Sequence, residues 1–146
     1  MNVLLISCYE LGHQPYGVAS AGAHLLAGDR HQVECLDLAV EVLDDAKVRR
    51  ADFVGISTPM HTAIRLGVKA GELVRGSNPQ CHICYFGLYA SLNEDYLLDG
   101  VADSVIGGEF ETPLTQHVDR LAENGPPHPG GLSLAELRSP PNLSRQ

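Results

Sequence analysis

Basic residues are scarce in this chain: 10 Lys and Arg stand against 18 Asp and Glu, a formal charge of −8 over 146 residues. Such a surface repels nucleic-acid phosphates and argues against a nucleic-acid partner, although one pocket can differ from the mean and still take an anionic ligand. Long hydrophobic runs are missing too. None approaches the roughly 18–20 residues needed to span a bilayer, so no membrane partner is expected. The opening Met1-Asn2-Val3-Leu4-Leu5-Ile6-Ser7 has no basic segment ahead of its apolar run and reads as a strand rather than a signal peptide. Cysteine is sparse, at 8, 35, 81 and 84, in or beside strand-like runs. That placement suits reduced thiols in a cytoplasmic protein better than a secreted disulfide framework.

Several motifs are also lacking. The segment Glu10-Leu11-Gly12-His13-Gln14-Pro15-Tyr16-Gly17 follows the first strand, where a dinucleotide fingerprint would need G-x-G-x-x-G. Gly12 and Gly17 do not have that spacing, and Val18 stands where a phosphate loop would need Lys, so NAD and nucleoside triphosphates are disfavoured. His13 reads equally well as a solvated loop residue. Ser57 follows Gly55 at the right interval for a nucleophile elbow, but Pro59 replaces the second glycine. No acidic pair follows the first strand, so Asp37, Asp44, Asp45, Asp52 and Asp103 read as loop acids and helix caps rather than a phospho-acceptor cluster. Cys81-His82-Ile83-Cys84 invites a metal reading, but structural zinc needs four converging ligands and no second pair exists. At the start of a strand, residues i and i+3 point to opposite faces, and buried structural thiols are the simpler expectation.

What remains is a regular alternation of strand and helix patterns. With 44% apolar residues, the chain is long enough for one domain with a two-faced core. Val3 to Cys8 is continuously apolar, as in a strand buried on both sides. A helix is expected over 18–27 and strands over 32–38, 52–57, 82–86 and 103–106. Further helices are expected over 43–50, from Pro59 to about Gly76, over 92–98 and over 111–122, the last with Leu114, Val118 and Leu121 at helical spacing. Such alternation predicts an α/β fold: a flavodoxin-like or Rossmann-like five-stranded parallel sheet, order 2-1-3-4-5, with helices on both faces. The domain is expected over 1–123. Residues 124–146, with Gly125-Pro126-Pro127-His128-Pro129-Gly130-Gly131, read as a linker or tail that leads toward a further domain.

Three of the expected strands end in small residues: Gly55-Ile56-Ser57, Gly87-Leu88-Tyr89-Ala90 and Gly107-Gly108-Glu109-Phe110-Glu111. Ligands of open parallel sheets sit beyond such ends, and small residues let a bulky ligand approach the backbone. Together with Gln14-Pro15-Tyr16-Gly17 and Thr62, these segments resemble a cobalamin (vitamin B12)-binding domain, closest to the N-terminal module of cobalamin-dependent radical SAM enzymes. The last segment resembles that group's G-E-G-E signature, with Phe110 where Gly is usual. The resemblance implies that cobalamin binds base-off at the carboxyl edge of the sheet. It assigns the cofactor contacts to Pro15, Tyr16, Gly17, Ser57, Thr58, Met60, His61, Thr62, Gly87, Leu88, Tyr89, Ala90, Gly107, Gly108 and Glu109. The nucleotide tail would run near Ser57 and Gly87, with the corrin over Gly107-Gly108-Glu109. A tryptophan at Ser57 or Gly87 should then fill the tail channel without unfolding the domain.

The departures from the pattern carry information. Cobalamin methyltransferases and mutases present D-x-H-x-x-G, whose His binds cobalt from below; here the spacing is His13-x-x-x-Gly17, with Glu10 three residues before the His. Three readings of the lower face stay open: His13, His61, or no protein ligand. The C-x-x-x-C-x-x-C that holds a radical SAM [4Fe-4S] cluster is absent, so S-adenosylmethionine and the cluster would belong to a domain missing from this sequence. No catalysis is expected from the chain alone. The resemblance thus implies the cofactor module of an enzyme that transfers methyl groups. The alternatives are a stand-alone cobalamin carrier or sensor and a flavodoxin-like FMN protein, although His13-Gln14-Pro15-Tyr16 does not offer the Ser, Thr and Gly an FMN phosphate would want.

Overall fold

The computed structural model describes residues 1–8 and 16–123. In chain order the elements are β1 (Asn2–Ser7), α1 (Tyr16–Ala27), β2 (Gln32–Asp37), α2 (Asp45–Arg50), β3 (Phe53–Ser57), α3 (His61–Ser77), β4 (His82–Phe86), α4 (Leu88–Leu92), α5 (Glu94–Asp99), β5 (Ser104–Ile106) and α6 (Glu111–Glu123). The strands form one sheet in the order β2-β1-β3-β4-β5, every neighbouring pair parallel. The order and the all-parallel pairing are those expected from the sequence. No helix among the described residues is long and apolar enough to cross a membrane.

Strand alternation divides the interior into two cores. Leu4, Ile6, Val54, Ile56, Ile83 and Tyr85 face α2, α3, α4 and α5 through Val48, Ile64, Val74, Ala90, Leu97 and Leu98. The alternate residues Val3, Leu5, Phe53, Cys84 and Phe86 face α1 and α6 through Val18, Ala21, Leu25, Leu114, Val118 and Leu121. The middle of each central strand is therefore apolar, because neither face meets water. Cys81 lies in the first core and Cys84 in the second, on opposite sides of the sheet as alternation requires. Burial pushes the Cys8 and Cys81 thiols up to about 11 and Cys84 to about 12, so they stay protonated at neutral pH.

Two helix assignments change. Pro59 lies outside α3, which begins at His61 with Met60 as its cap residue. The reason is that the chain leaving β3 stays bound to the neighbouring strand: Thr58 donates to the Phe86 carbonyl through its backbone N–H at 2.8 Å and through its hydroxyl at 3.0 Å. The single helix expected over 92–98 becomes two, α4 and α5, divided at Asn93, whose amide donates to the Tyr89 carbonyl at 2.8 Å. Leu88, Tyr89 and Ala90, read above as a strand end, thus form the first turn of a helix.

The amino edge of the sheet is laced by side chains. Asn78 donates to the carbonyls of Val48 and Ala51, both at 2.8 Å, and holds the end of α3 against the end of α2. Arg75 donates to the Cys81 carbonyl at 2.8 Å and to the Asp103 carboxylate at 2.6 Å, while Asp103 also accepts from the Ile83 N–H at 2.9 Å. Beneath this edge, inside the second core, Ser104 Oγ lies 2.8 Å from His82 Nε2 and 3.1 Å from His117 Nε2. Phe53 stacks on the His82 ring at 5.3 Å. With both rings neutral, the serine hydroxyl donates to one imidazole and accepts from the other.

Burial holds both histidines well below the ordinary value of 6.5, at about 3, with the charges of Arg75 for His82, and of His82 and Arg120 for His117, adding to it. The unfolded chain therefore binds more protons than the native one between pH 6.5 and about 3. The stability that this contributes is complete above the unfolded value and is lost as pH falls toward the folded value. We predict that the thermal midpoint falls steadily as the buffer is taken from pH 7 to pH 4, and that His117→Leu makes the dependence shallower. Identical slopes for the two proteins would remove the histidine pair as its source.

Candidate functional site

Because all strands run parallel, Ser7, Asp37, Ser57, Phe86 and Ile106 end on one edge, and α1, α3 and α6 start from it. The direction of travel reverses between β1, which leads outward to β2, and β3, which leads to β4. A reversal of this kind marks the usual ligand position in open α/β sheets. Pro15 and His13 lie outside the described residues, and only the backbone of Tyr16 is described.

At this edge three segments close on one another. Ser57 is 2% exposed. A Cβ built on Gly17 would lie 3.1 Å from Ser57 Oγ and 3.7 Å from Phe110 Cζ. The Phe110 ring turns inward onto Phe86, with centroids 4.8 Å apart. Ser20 donates to Glu111 at 2.8 Å and fastens the first turns of α1 and α6 together. Gly17, Ser57 and Phe110 therefore meet where the sequence pattern placed an open channel.

Gly87 shows why a small residue need not mark a space. Its φ of +117° suits glycine alone, and a Cβ there would lie 3.1 Å from the Thr58 carbonyl oxygen. Its N–H donates to the Ile106 carbonyl at 3.0 Å, and its own carbonyl accepts from Ala90 at 3.1 Å. Gly107 is pressed against Ser91 of α4, and Ala90 is fully buried in the first core. The small size of all three is accounted for by contacts within the chain. A tryptophan at Gly87 would break the fold rather than fill a channel, contrary to the expectation above. Gly108 differs: its φ is +63°, and a Cβ there would meet nothing within 4 Å.

Around this closed floor lies an open rim. His61 and Thr62 are exposed, Met60 is half-buried, and the His61 ring meets Tyr89 edge to face at 6.4 Å. Glu109 is exposed beside Gly108. The cap residue of α3 makes no side-chain bond to the first-turn N–H groups. Four apolar side chains stand out from the same edge: Val40 and Val42 after β2, 79% and 85% exposed, and Leu88 and Leu92 in α4, at 56% and 67%. Among the described residues no three His, Cys, Asp or Glu side chains converge to hold a metal ion.

The structure thus brings Gly17, Ser57 and Thr58 together with Gly87 at the floor, and Met60, His61, Thr62, Leu88, Tyr89, Gly108 and Glu109 at the rim. Sequence reasoning missed Val40, Val42 and Leu92, whose signal was apolar character in segments that follow a strand. It noted Phe110 only as a departure from a pattern.

No protein-family model matches the chain, and no curated protein matches it. Among solved structures, the chain superposes on the radical S-adenosylmethionine methyltransferase TsrM from Kitasatospora setae, a structure with cobalamin and a [4Fe-4S] cluster bound, at a TM-score of 0.65 and 16% identity. The match covers 84% of this chain but 26% of that one, so the chain spans about a quarter of the enzyme's length. It also superposes on a flavodoxin from the domain Archaea, at a TM-score of 0.53 and 11% identity, covering 85% of this chain and 95% of the flavodoxin. At these identities the likeness defines the fold: an open, flavodoxin-like α/β domain.

The floor yields a stability prediction. Gly87→Ala should lose more than the roughly 1–3 kcal/mol of a strained backbone, because its Cβ also meets Thr58. Gly108→Ala should lose only about 1–2 kcal/mol, the cost of the left-handed conformation in open space. Urea unfolding of both variants measures the difference, and equal losses would contradict the close contact.

Proposed function

We propose that this domain binds cobalamin base-off at the carboxyl edge of its sheet, as the cofactor module of a radical SAM enzyme that transfers methyl groups. The observation that carries the reading is the character of that edge. Val40, Val42, Leu88 and Leu92 are exposed there and Gly108 is open, an apolar character where a solvated protein surface would favour polar groups. The residues present suit the group: a broad macrocycle would cover apolar side chains from the β2–α2 loop and from α4, and its amide arms would reach exposed backbone near Gly108 and the first-turn N–H groups of α3. The fold shared with a cobalamin-containing methyltransferase supports the same reading.

In this reading Val40, Val42, Leu88 and Leu92 shield the lower side of the corrin from water, and Gly108 and Glu109 lie under its edge. Ser57 and Thr58 face the nucleotide tail. When bound, the cofactor supplies a cobalt centre able to carry a methyl group. The chain's own work is to bind it, orient one face outward and exclude water from the other. The [4Fe-4S] cluster and S-adenosylmethionine belong, in the same reading, to a cysteine-rich domain outside these residues. That domain would be the partner to which this module presents the outer face of the corrin.

We further propose that no protein imidazole binds the cobalt. His61 is exposed at the start of α3 and engages Tyr89, and the spacing around His13 departs from the ligating motif. Incubation with hydroxocobalamin followed by gel filtration should give a protein fraction with the visible spectrum of base-off cobalamin. Electron paramagnetic resonance of the reduced Co(II) form should show cobalt lines without nitrogen triplets, unchanged in His13→Ala and His61→Ala. Triplets that vanish in one variant would identify a ligand and overturn this part of the proposal. One observation favours a second reading: the flavodoxin likeness extends over 95% of that protein's length. Co-elution of FMN, with no cobalamin retained, would decide for a flavin protein.

A further inference from the structure

We propose that Phe110 is the specificity-determining gate of this site: its ring occupies the entrance to Ser57 and must leave before an extended ligand tail can pass between α1 and β3. The inference rests on the cobalamin reading for the identity of the ligand, but the closure itself rests on geometry. Ser57 is buried at the end of β3. Its Oγ and Phe110 Cζ both lie within 4 Å of the point where a Cβ on Gly17 would sit. The ring is only half-buried and leans on Phe86 at 4.8 Å with a 49° tilt.

The segment carrying Phe110 is built to turn at one place. Gly107 is pinned against Ser91, and Leu114 N–H bonds to the Phe110 carbonyl at 2.8 Å, so both ends are anchored. Between them, Gly108 has a φ of +63° with open space around it, and Glu109 is exposed. Rotation about Gly108 and the Phe110 side-chain torsions moves the ring without disturbing either anchor. The contact to be surrendered is one aromatic pair, equivalent to roughly 2- to 10-fold in an equilibrium. An aromatic ring at this point also offers an apolar face to the ligand once it has moved. A glycine would leave the entrance permanently open; phenylalanine makes entry conditional on a ligand whose tail displaces it.

Two measurements test the gate, one of them free of ligand. In Ser57→Cys, alkylation by N-ethylmaleimide, located by peptide mass spectrometry, should be slow at position 57. Adding Phe110→Ala should accelerate it about 10-fold, while labelling of Cys35 stays constant. Association of hydroxocobalamin, followed by stopped-flow absorbance, should be about 10-fold faster in Phe110→Ala and Phe110→Gly than in the parent. Phe110→Leu, which keeps the core filled, should lie between. Unchanged labelling would show that Phe110 does not cover Ser57. Released labelling with equal cobalamin association rates in all forms would overturn the gate while leaving the cobalamin reading intact. Released labelling with no cobalamin bound by any form would overturn the cobalamin reading and the gating of that ligand together, leaving only a ring that covers Ser57.

Discussion

The carboxyl edge is organised around the contact between Gly87 and the backbone of Thr58. Thr58 bonds twice to the last carbonyl of β4, Gly87 bonds to the last carbonyl of β5, and Tyr89 N–H returns to the Thr58 carbonyl at 3.1 Å. The ends of three strands are thereby held in one hydrogen-bonded lattice, which leaves no room for a Cβ at position 87. The starting direction of α4 follows from it, as does the exposure of Leu88 and Leu92. So does the place of His61 and Tyr89 on the rim. A floor this tightly bonded is rigid, and that rigidity lets the side chains above it keep a fixed arrangement for a ligand.

The two edges of the sheet do different work. At the amino edge, Arg75, Asn78 and Asp103 consume backbone carbonyls and N–H groups that the turns would otherwise leave bare, and the His82–Ser104–His117 cluster fills the core beneath. Each is a buried or half-buried polar group with a partner, which is the condition for such groups to be tolerated. At the carboxyl edge the helices start instead of ending. First-turn N–H groups of α1, α3 and α6 lie at this edge, a Cβ on Gly108 would meet nothing within 4 Å, and apolar side chains face outward. Polar lacing and open, apolar surface are therefore separated along the strand direction.

Phe110 links the two aspects. It packs on Phe86 and so belongs partly to the second core, yet it is half-exposed at the edge where a ligand would enter. A residue that fills the core in one rotamer and clears an entrance in another makes the empty domain compact and the loaded one conditional on the ligand's shape.

The sheet was legible in the sequence because its signals are local. Continuous apolar runs such as Val3 to Cys8 mark strands covered on both faces, helical spacing such as Leu114, Val118 and Leu121 marks the covering elements, and right-handed crossovers leave few orders for five parallel strands. The ends of those strands were legible as a region. What each small residue there was for was not. A glycine that admits a ligand and a glycine that admits the chain's own backbone look the same in sequence. Thr58 beside Gly87, Ser91 beside Gly107, and Ser57 and Phe110 beside Gly17 distinguish them, and all are neighbours far apart in the chain. The histidine pair was hidden for the same reason, since nothing in the spacing of His82 and His117 tells that one serine on a third element lies between them. The sequence by itself determined the layers, the strand order and the edge at which the small residues gather. Only the tertiary structure decided which residues at that edge are floor, which are rim and which stands in the way, because close packing is settled by neighbours that local pattern cannot see.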